Sequence, residues 1–296
     1  MCRSTGHNRR GGTHFGGVGW IWGGDPGVGR TIRRMMTGFD RTSFTYDGTR
    51  RDVYRAGIGP AVIVIAEVPG ITPGVTTFAR RMVDAGFTAV VPVLFGTPGR
   101  EMSAAAIAST MATVCVSKEF RLLATRTSAP VTDWLRALAR HEHSVCGGPG
   151  VGAVGMCLTG GFALAMAVDD ELLAPVLSQP SLPLPIGRSR LQDLGISDDG
   201  LRRVKDRCAA GELTVLGLRF TGDPAVPGER FARLRAELGE NFTGVEIDSS
   251  PGNPHGIPKR SHSVLTEHLV DEPGHPTRDA LDQVLTFLRT RLGVTD

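Results

Sequence analysis

VGAVGMCLTGGFALAMA, residues 151–167, is the stretch that decides the fold. Residues 151–156 form an apolar run of strand length, and the small apolar residues from position 162 onwards suit a helix. Cys157 lies in the turn between them, just after Gly155-Met156. So tight a turn lifts the side chain at its tip above the edge of a sheet and tolerates only small neighbours, which is typical of a nucleophile elbow.

The chemistry of such a turn would suit a reactive thiol. The helix that follows directs its N-terminal amides towards Cys157, which favours the thiolate, and the backbone N–H of Leu158 can face a developing oxyanion. The competing interpretation is that Cys157 is a small buried apolar residue at a strand–helix junction, as free cysteines often are. The motif by itself does not decide between the two.

Strand-like and helix-like segments alternate along the rest of the chain. Continuous apolar runs indicate strands buried on both faces of a sheet, and a 3.6-residue spacing indicates helices. The predicted strands are 61–66, 87–95, 151–156, 174–180, 212–220 and 242–248. The predicted helices are 78–86, one or two between 104 and 140, 162–170, 197–209 with Ser197 as N-cap, 229–238 and 278–292. This alternation predicts an α/β fold whose mostly parallel central sheet is covered by helices on both faces.

The N-terminal region differs from the rest. Residues 1–38 are rich in Gly and Arg and show neither a strand nor a helix period, which predicts a disordered tail. Met35 and Met36 directly precede the first strand pattern, and we hypothesise that translation begins there. From residue 43 onwards the alternation around Asp47-Gly48 predicts a β-hairpin, because Asp-Gly supplies the positive φ angles of a tight turn.

Length and composition favour one domain, which we assign to residues 39–296. The 296 residues, 41% hydrophobic and 21% charged, can fill one large α/β domain. The net charge of +3 comes without a basic stripe, so we expect no nucleic-acid partner. The apolar runs are shorter than the roughly 20 residues of a membrane span, and no secretory signal is evident, so we expect no membrane association. Five irregularly spaced cysteines favour a reducing cytoplasm.

Two further positions can complete a catalytic triad with Cys157. On a parallel sheet such a triad runs nucleophile, acid and base along the chain, each just beyond the end of a strand. Asp223 lies in a Gly-Asp-Pro turn after a predicted strand, and His275 lies in a Pro-Gly-His-Pro loop before the last helix. Each has an ordinary interpretation alone, as a turn carboxylate and an exposed loop histidine. The three together predict a Cys-His-Asp triad.

Five segments resemble the corresponding blocks of the dienelactone hydrolase family. They are VIVIAEVPGITPG, GFTAVVPVLFG, VGMCLTGGFALA, FTGDPAVP and EPGHPTRDALDQVLTFL. The likeness covers roughly residues 44–292. It implies the α/β-hydrolase fold and a triad that falls on Cys157, His275 and Asp223.

The resemblance also implies roles for Glu67 and Val68. In the family a glutamate after the first core strand interacts with the thiol of the resting enzyme, and the next residue lends a second oxyanion N–H. Glu67 and Val68 occupy these positions. Independently, a carboxylate at the end of an apolar strand lies beside the crevice where α/β sheets bind ligands. The alternative is a loop carboxylate paired with an arginine.

The sequence departs from the family pattern at two places. Thr159 stands where the family usually has glycine, and it predicts a slightly shifted elbow because it crowds the helix against the strand. Members that act on dienelactones hold the substrate carboxylate with arginines. Arg278 lies near one such position, and Arg100 is the nearest candidate for the other. The carbon skeleton of the substrate therefore stays open.

Several weaker signals do not indicate a function. GGDPGVGR (23–30) lacks the Gly-Lys-Ser/Thr ending of a phosphate-binding loop. HEHSVC (141–146) matches no standard zinc spacing and predicts a polar connection from a helix to a strand. His255, His262 and His268 lie in a Pro/Gly-rich stretch and are expected to face solvent. We expect no metal and no organic cofactor.

These features predict a hydrolase that cleaves a carboxylic ester or lactone through an acyl-enzyme, with that small molecule as its partner. One alternative is a general carboxylesterase or thioesterase. Another is a catalytically silent hydrolase-fold protein in which Cys157 is a redox-sensing thiol. Residues 181–200 separate Cys157 from Asp223 by more than a minimal hydrolase needs, which raises the hypothesis of a lid. The oligomeric state is not predicted.

Overall fold

Eight strands form one sheet in the computed structural model, which describes residues 35–116, 130–182 and 191–295. The strands are β1 Asp40–Tyr46, β2 Thr49–Ala56, β3 Ala61–Ile65, β4 Thr88–Pro92, β5 Val151–Met156, β6 Leu172–Ser178, β7 Val215–Phe220 and β8 Phe242–Ile247. Their order is β1-β2-β4-β3-β5-β6-β7-β8. The β1–β2 and β2–β4 pairs are antiparallel and all other pairs are parallel. The predicted mostly parallel sheet is confirmed.

Helices cover both faces of the sheet. They are α1 Pro73–Asp84, α2 Ala104–Val116, α3 Pro130–Cys146, α4 Gly160–Met166, α5 Asp198–Ala209, α6 Gly228–Leu238 and α7 Pro276–Leu292. Side chains of β3 alternate between two apolar clusters: Ile63 and Ile65 join the cluster of α3 to α6, and Val62 and Val64 join the cluster of α1 and α7. Each such fully buried side chain contributes about 1.5–3 kcal/mol to stability.

Most predicted elements coincide with observed ones. The opening hairpin turns at Asp47 and Gly48, whose φ angles are 46° and 71°. Ser197 caps α5, because its hydroxyl accepts the N–H of Gly200 at 3.1 Å. The region from 104 to 140 contains two helices, α2 and α3. HEHSVC was predicted to connect a helix to a strand, and this prediction is wrong. The segment forms the last turns of α3, where Glu142 pairs with Arg55.

Residues 35–38, which the sequence prediction assigned to the tail, belong to the described part of the chain. Met36 is buried, and its sulfur accepts the Thr76 hydroxyl of α1 at 3.3 Å. Arg80 of α1 donates to the carbonyl oxygen of Met35. Residues 35–38 therefore pack against the domain, and residues 1–34 lie outside the described part of the chain.

The predicted lid segment is described at both of its ends. Leu194 and Ile196 are buried in the cluster of α3 to α6, and Leu182 is also buried. These ends of 181–200 pack on the body of the domain, whereas residues 183–190 lie outside the described part. The lid stays a prediction.

In the described part of the chain, no helix is long and apolar enough to cross a membrane.

Candidate functional site

The loops after β3, β5, β6 and β7 meet at one edge of the sheet, because parallel strands present their carboxyl ends to the same side. Cys157 follows β5 in a short 3-10 helix and has a φ angle of 56°, a strained conformation for a residue other than glycine. Gly155 makes this turn possible, since a Cβ there would lie 2.2 Å from the carbonyl oxygen of Thr159. Gly160 similarly lies against Pro180, 2.7 Å from the place of its missing Cβ.

Thr159, which departs from the family pattern, is accommodated by hydrogen bonds. Its side chain is fully buried, and its hydroxyl oxygen lies 2.8 Å from the carbonyl oxygens of both Ile65 and Met156. The same oxygen accepts the N–H of Met156 at 2.8 Å. The hydroxyl therefore links the end of β3 to the elbow after β5.

Asp223 lies in the loop after β7 and its side chain is buried. Oδ1 accepts the backbone N–H of Ala225 at 2.9 Å, which leaves Oδ2 for another donor. Arg219 fixes the loop by donating to the carbonyl oxygens of Val226 at 2.9 Å and Thr221 at 3.0 Å. The carboxylate is thus held by its own loop before it meets an imidazole.

His262 is the imidazole beside Asp223. Its Nδ1 lies 2.6 Å from Asp223 Oδ2, and the side chain of Cys157 lies near enough to the ring to influence its pKa. Burial lowers the pKa of His262, but the hydrogen bonds and negative charges of Asp223 and Cys157 outweigh it and raise the pKa to about 11. A thiol, an imidazole and a carboxylate therefore lie together at this edge of the sheet.

His275 does not occupy this position, which corrects the sequence prediction. It is the N-cap of α7, where Nδ1 accepts the backbone N–H of Thr277 at 3.3 Å. Its ring packs edge-on against His255, with centroids 5.4 Å apart. In the described residues, no hydrogen bond joins it to Asp223 or Cys157. The sequence prediction chose His275 because it lies just before the last helix. In the structure, a histidine at this position caps that helix.

The expectation that three other histidines face solvent holds only for His255, which is exposed. His268 is half-buried, and its Nδ1 accepts the backbone N–H of Ser263 at 3.2 Å. The sequence did contain a signal for His262: it stands just before Val264-Leu265, an apolar pair that is fully buried. Such a pair shows which part of the connection from β8 to α7 turns inwards.

Ser181, which sequence reasoning missed, touches the thiol. Its Oγ lies 3.1 Å from Cys157 Sγ, and its backbone N–H donates to the Cys157 carbonyl oxygen at 2.9 Å. Ser181 follows β6 and is buried. The sulfur is thus in contact with a hydroxyl in addition to lying near an imidazole.

Glu67 is buried at the end of β3, but its partners are not the expected thiol. Oε2 accepts the hydroxyl of Ser263 at 2.6 Å and the side-chain amide of Gln179 at 3.1 Å, and Oε1 accepts the hydroxyl of Thr266. In the described part of the chain, no hydrogen bond joins Glu67 to Cys157. Burial raises the pKa of Glu67 above its ordinary value, although the two hydroxyls oppose this shift.

The remaining predicted residues divide into two groups. Leu158 and Val68 follow Cys157 and Glu67 directly, are buried, and lie where the paired strands β5 and β3 end. The guanidinium of Arg278 pairs with two carboxylates, at 2.5 Å to Asp271 and 3.0 Å to Asp282. Arg100 is exposed in the loop after β4. Leu158 and Val68 thus lie at the same edge of the sheet as Cys157. The guanidinium of Arg278, in contrast, is engaged by Asp271 and Asp282.

The fold and this edge define a protein of the α/β-hydrolase class, and comparisons with known proteins narrow the class to a family. The model of the dienelactone hydrolase family matches residues 53–292. The chain therefore belongs to the dienelactone hydrolase family, and its broad activity is that of a hydrolase. None of the curated proteins matches the sequence.

Solved structures share the fold at low sequence identity. A dienelactone hydrolase-like promiscuous phosphotriesterase from metagenomic libraries is 18% identical with a TM-score of 0.53, over 86% of this chain and 98% of the other. Est1E from Butyrivibrio proteoclasticus is 14% identical with a TM-score of 0.53, over 86% of this chain and 99% of the other. A structure called m3DLH is 19% identical with a TM-score of 0.54, over 84% and 97% of the two chains.

The elbow geometry predicts that Gly155→Ala is destabilising. Its added methyl group would collide with the Thr159 carbonyl, so we expect a loss of about 1–3 kcal/mol in unfolding free energy. Gly228→Ala is the matched control, because the nearest atom to its added methyl group is 3.8 Å away. Urea denaturation of the two variants measures the difference. Equal stability of both variants would contradict the packing described here.

The site also predicts that His262 is an imidazolium at neutral pH. Its ring nitrogen shifts, measured by NMR between pH 5 and 10, should show no titration near the ordinary value of 6.5. Because the folded-state pKa is raised, the stability that this group contributes is fully present below pH 6.5 and is lost as the pH rises towards about 11. In Cys157→Ala, the loss of one hydrogen bond and one negative charge should lower the pKa of His262. A titration at 6.5 in the wild type would refute the contacts assigned to this ring.

Proposed function

We propose that this protein is a cysteine hydrolase that cleaves a carboxylic ester or lactone through Cys157, His262 and Asp223. The observation that carries the proposal is that His262 Nδ1 lies 2.6 Å from the buried carboxylate of Asp223, while the Cys157 side chain is near enough to raise the pKa of the same imidazole. Asp223 engages Nδ1 and so leaves Nε2 for the sulfur, which is the arrangement that an imidazole needs to exchange a proton with a nucleophile. Membership of the dienelactone hydrolase family supports the same chemistry.

In the first half of the reaction, the Cys157 thiolate attacks the carbonyl carbon of the ester and forms a C–S bond. The carbonyl oxygen becomes an oxyanion, which we assign to the backbone N–H groups of Leu158 and Val68. When the C–O bond breaks, the leaving alkoxide takes the proton of the His262 imidazolium. The products of this half are a thioester and an alcohol, which stays attached to the acyl group when the substrate is a lactone.

In the second half, neutral His262 takes a proton from water, and the resulting hydroxide attacks the thioester. The tetrahedral intermediate expels the Cys157 thiolate and releases the acid, which restores the imidazolium–thiolate pair. Ser181 supports this step, because a hydroxyl 3.1 Å from the sulfur can donate to the thiolate as it leaves. Asp223 keeps the imidazole in the required tautomer and orientation throughout.

The substrate proposed is an ester or lactone without a requirement for a carboxylate. The dienelactone-specific clamp would need free arginines, and the guanidinium of Arg278 is already paired with Asp271 and Asp282. Arg100 is exposed, and in the described residues no hydrogen bond joins it to Cys157. A carboxylesterase that accepts simple esters therefore fits these residues better than a strict dienelactonase.

The choice of base predicts opposite results for two histidines. His262→Ala should lower ester hydrolysis by roughly 10³-fold or more, because the nucleophile loses its proton partner. His275→Asn should keep near wild-type activity, since asparagine can still cap α7. Steady-state rates with p-nitrophenyl acetate, with circular dichroism as a check on folding, make the comparison. Loss of activity in His275→Asn with retention in His262→Ala would restore the base first expected from the sequence.

The nucleophile and the substrate are tested together. Wild type should hydrolyse p-nitrophenyl acetate faster than a dienelactone and should show an acyl adduct by intact mass, whereas Cys157→Ala should show neither turnover nor adduct. A preference for the dienelactone would reverse the substrate assignment. Oxidation of Cys157 by peroxide without any esterase turnover would instead favour the redox-sensing alternative.

A further inference from the structure

We propose that Glu67 is a positioning residue that fixes the loop carrying His262, and that it does not act on the Cys157 thiol. We call residues 261–268 the histidine loop. The inference rests on the proposed function, in which His262 is the base. Two of the three groups that donate to the carboxylate, the hydroxyls of Ser263 and Thr266, belong to this loop. Ser263 directly follows His262, so the carboxylate holds the backbone next to the imidazole.

The third donor, Gln179, extends the same support. Its amide nitrogen donates to Glu67 at 3.1 Å, and its amide oxygen accepts the backbone N–H of Val264 at 3.4 Å. Gln179 is fully buried, and its φ angle of 36° is a strained backbone conformation for a residue other than glycine. Strain of this sort persists where surrounding contacts fix it, and here the side-chain contacts with Glu67 and Val264 connect Gln179 to the histidine loop.

Burying a carboxylate this deeply costs free energy, so a purely structural contact would not require one. Glu67 has 1% exposure, and a buried carboxylate destabilises a protein unless donors surround it. An apolar residue of similar volume would fill the same space without this cost. The arrangement is explained if the contact serves the placement of the loop, because a carboxylate accepts several hydroxyl donors at once.

Placement matters because the histidine loop is irregular. Neither a helix nor a strand fixes His262, which must lie within hydrogen-bond reach of both Asp223 and Cys157. A hydrogen bond within the loop also fixes its shape, because the ring of His268 accepts the N–H of Ser263 at 3.2 Å. A displacement of about 1 Å in a reacting group can cost on the order of 100-fold in rate.

The test uses three substitutions on one contact and one matched control. Ser263→Ala removes a hydroxyl that donates a hydrogen bond to Glu67, and Glu67→Ala removes the carboxylate that accepts it. Glu67→Gln keeps the shape and the acceptor oxygen, so the loop should stay in place. Ser261→Ala is the control, because the Ser261 hydroxyl is buried on the same loop and has no hydrogen-bond partner in the described residues.

The readout is the rate at which iodoacetamide alkylates Cys157 between pH 6 and 9, followed by intact mass. This reaction needs the thiolate that His262 supports, but it needs no ester substrate. Ser263→Ala and Glu67→Ala should each slow alkylation and p-nitrophenyl acetate hydrolysis by about 10-fold. The double variant Glu67→Ala/Ser263→Ala should be no slower than the slower single variant. Glu67→Gln should stay within about threefold of wild type, and Ser261→Ala should match it.

The opposite pattern would overturn the inference. If Glu67→Gln abolished alkylation while Ser263→Ala left it unchanged, the carboxylate would act on the thiol. Additive losses in the double variant would mean that Glu67 does not act through Ser263. If alkylation followed the expected pattern but wild type hydrolysed no ester, the positioning role would stand and the proposed function would fail. If Glu67→Ala did not fold, the pair of Ser263→Ala and Glu67→Gln would still decide the question.

Discussion

The hydrogen bond of 2.6 Å between His262 Nδ1 and Asp223 Oδ2 is the interaction on which the rest of the site depends. It joins the loop after β7 to the long connection between β8 and α7, two segments that have no strand pairing with each other. Gly222 allows the approach, since a Cβ there would lie 2.4 Å from the carbonyl oxygen of Lys259, just upstream of the histidine loop. Gly222 thus permits the contact between Asp223 and His262.

The sequence predicted the fold well, because its signals are local. A strand buried on both faces must be continuously apolar, and a turn as tight as that at Cys157 requires Gly155, so AVIVIA and VGAVGM could be assigned without tertiary information. Asp223 could be found for the same reason, since it directly follows a strand. These residues are fixed by the chain segments next to them.

The proposed base, His262, could not be predicted in this way. Four histidines lie between β8 and α7, and the one local sign that favours His262, the apolar pair Val264-Leu265 after it, is too weak to exclude His275. What separates them is long-range: Glu67, far away in sequence, accepts the hydroxyl of Ser263 beside one histidine, whereas the other histidine caps a helix. The role of Glu67 was missed for the same reason, because its partners lie on a loop with no regular structure.

The site finally depends on keeping its positive charge on one imidazole. Burial and the nearby positive charge of His262 lower the pKa of His268, so that ring is neutral and its Nδ1 can accept the N–H of Ser263. Asp223 and Cys157 raise the pKa of His262 instead. If His268 were protonated, its Nδ1 could no longer accept a hydrogen bond and its charge would repel His262, so the histidine loop would lose the hydrogen bond from Ser263 to this ring. The neutral ring of His268 and the buried carboxylate of Glu67 both accept hydrogen bonds from Ser263, so both would contribute to the proposed placement of His262 beside the thiol.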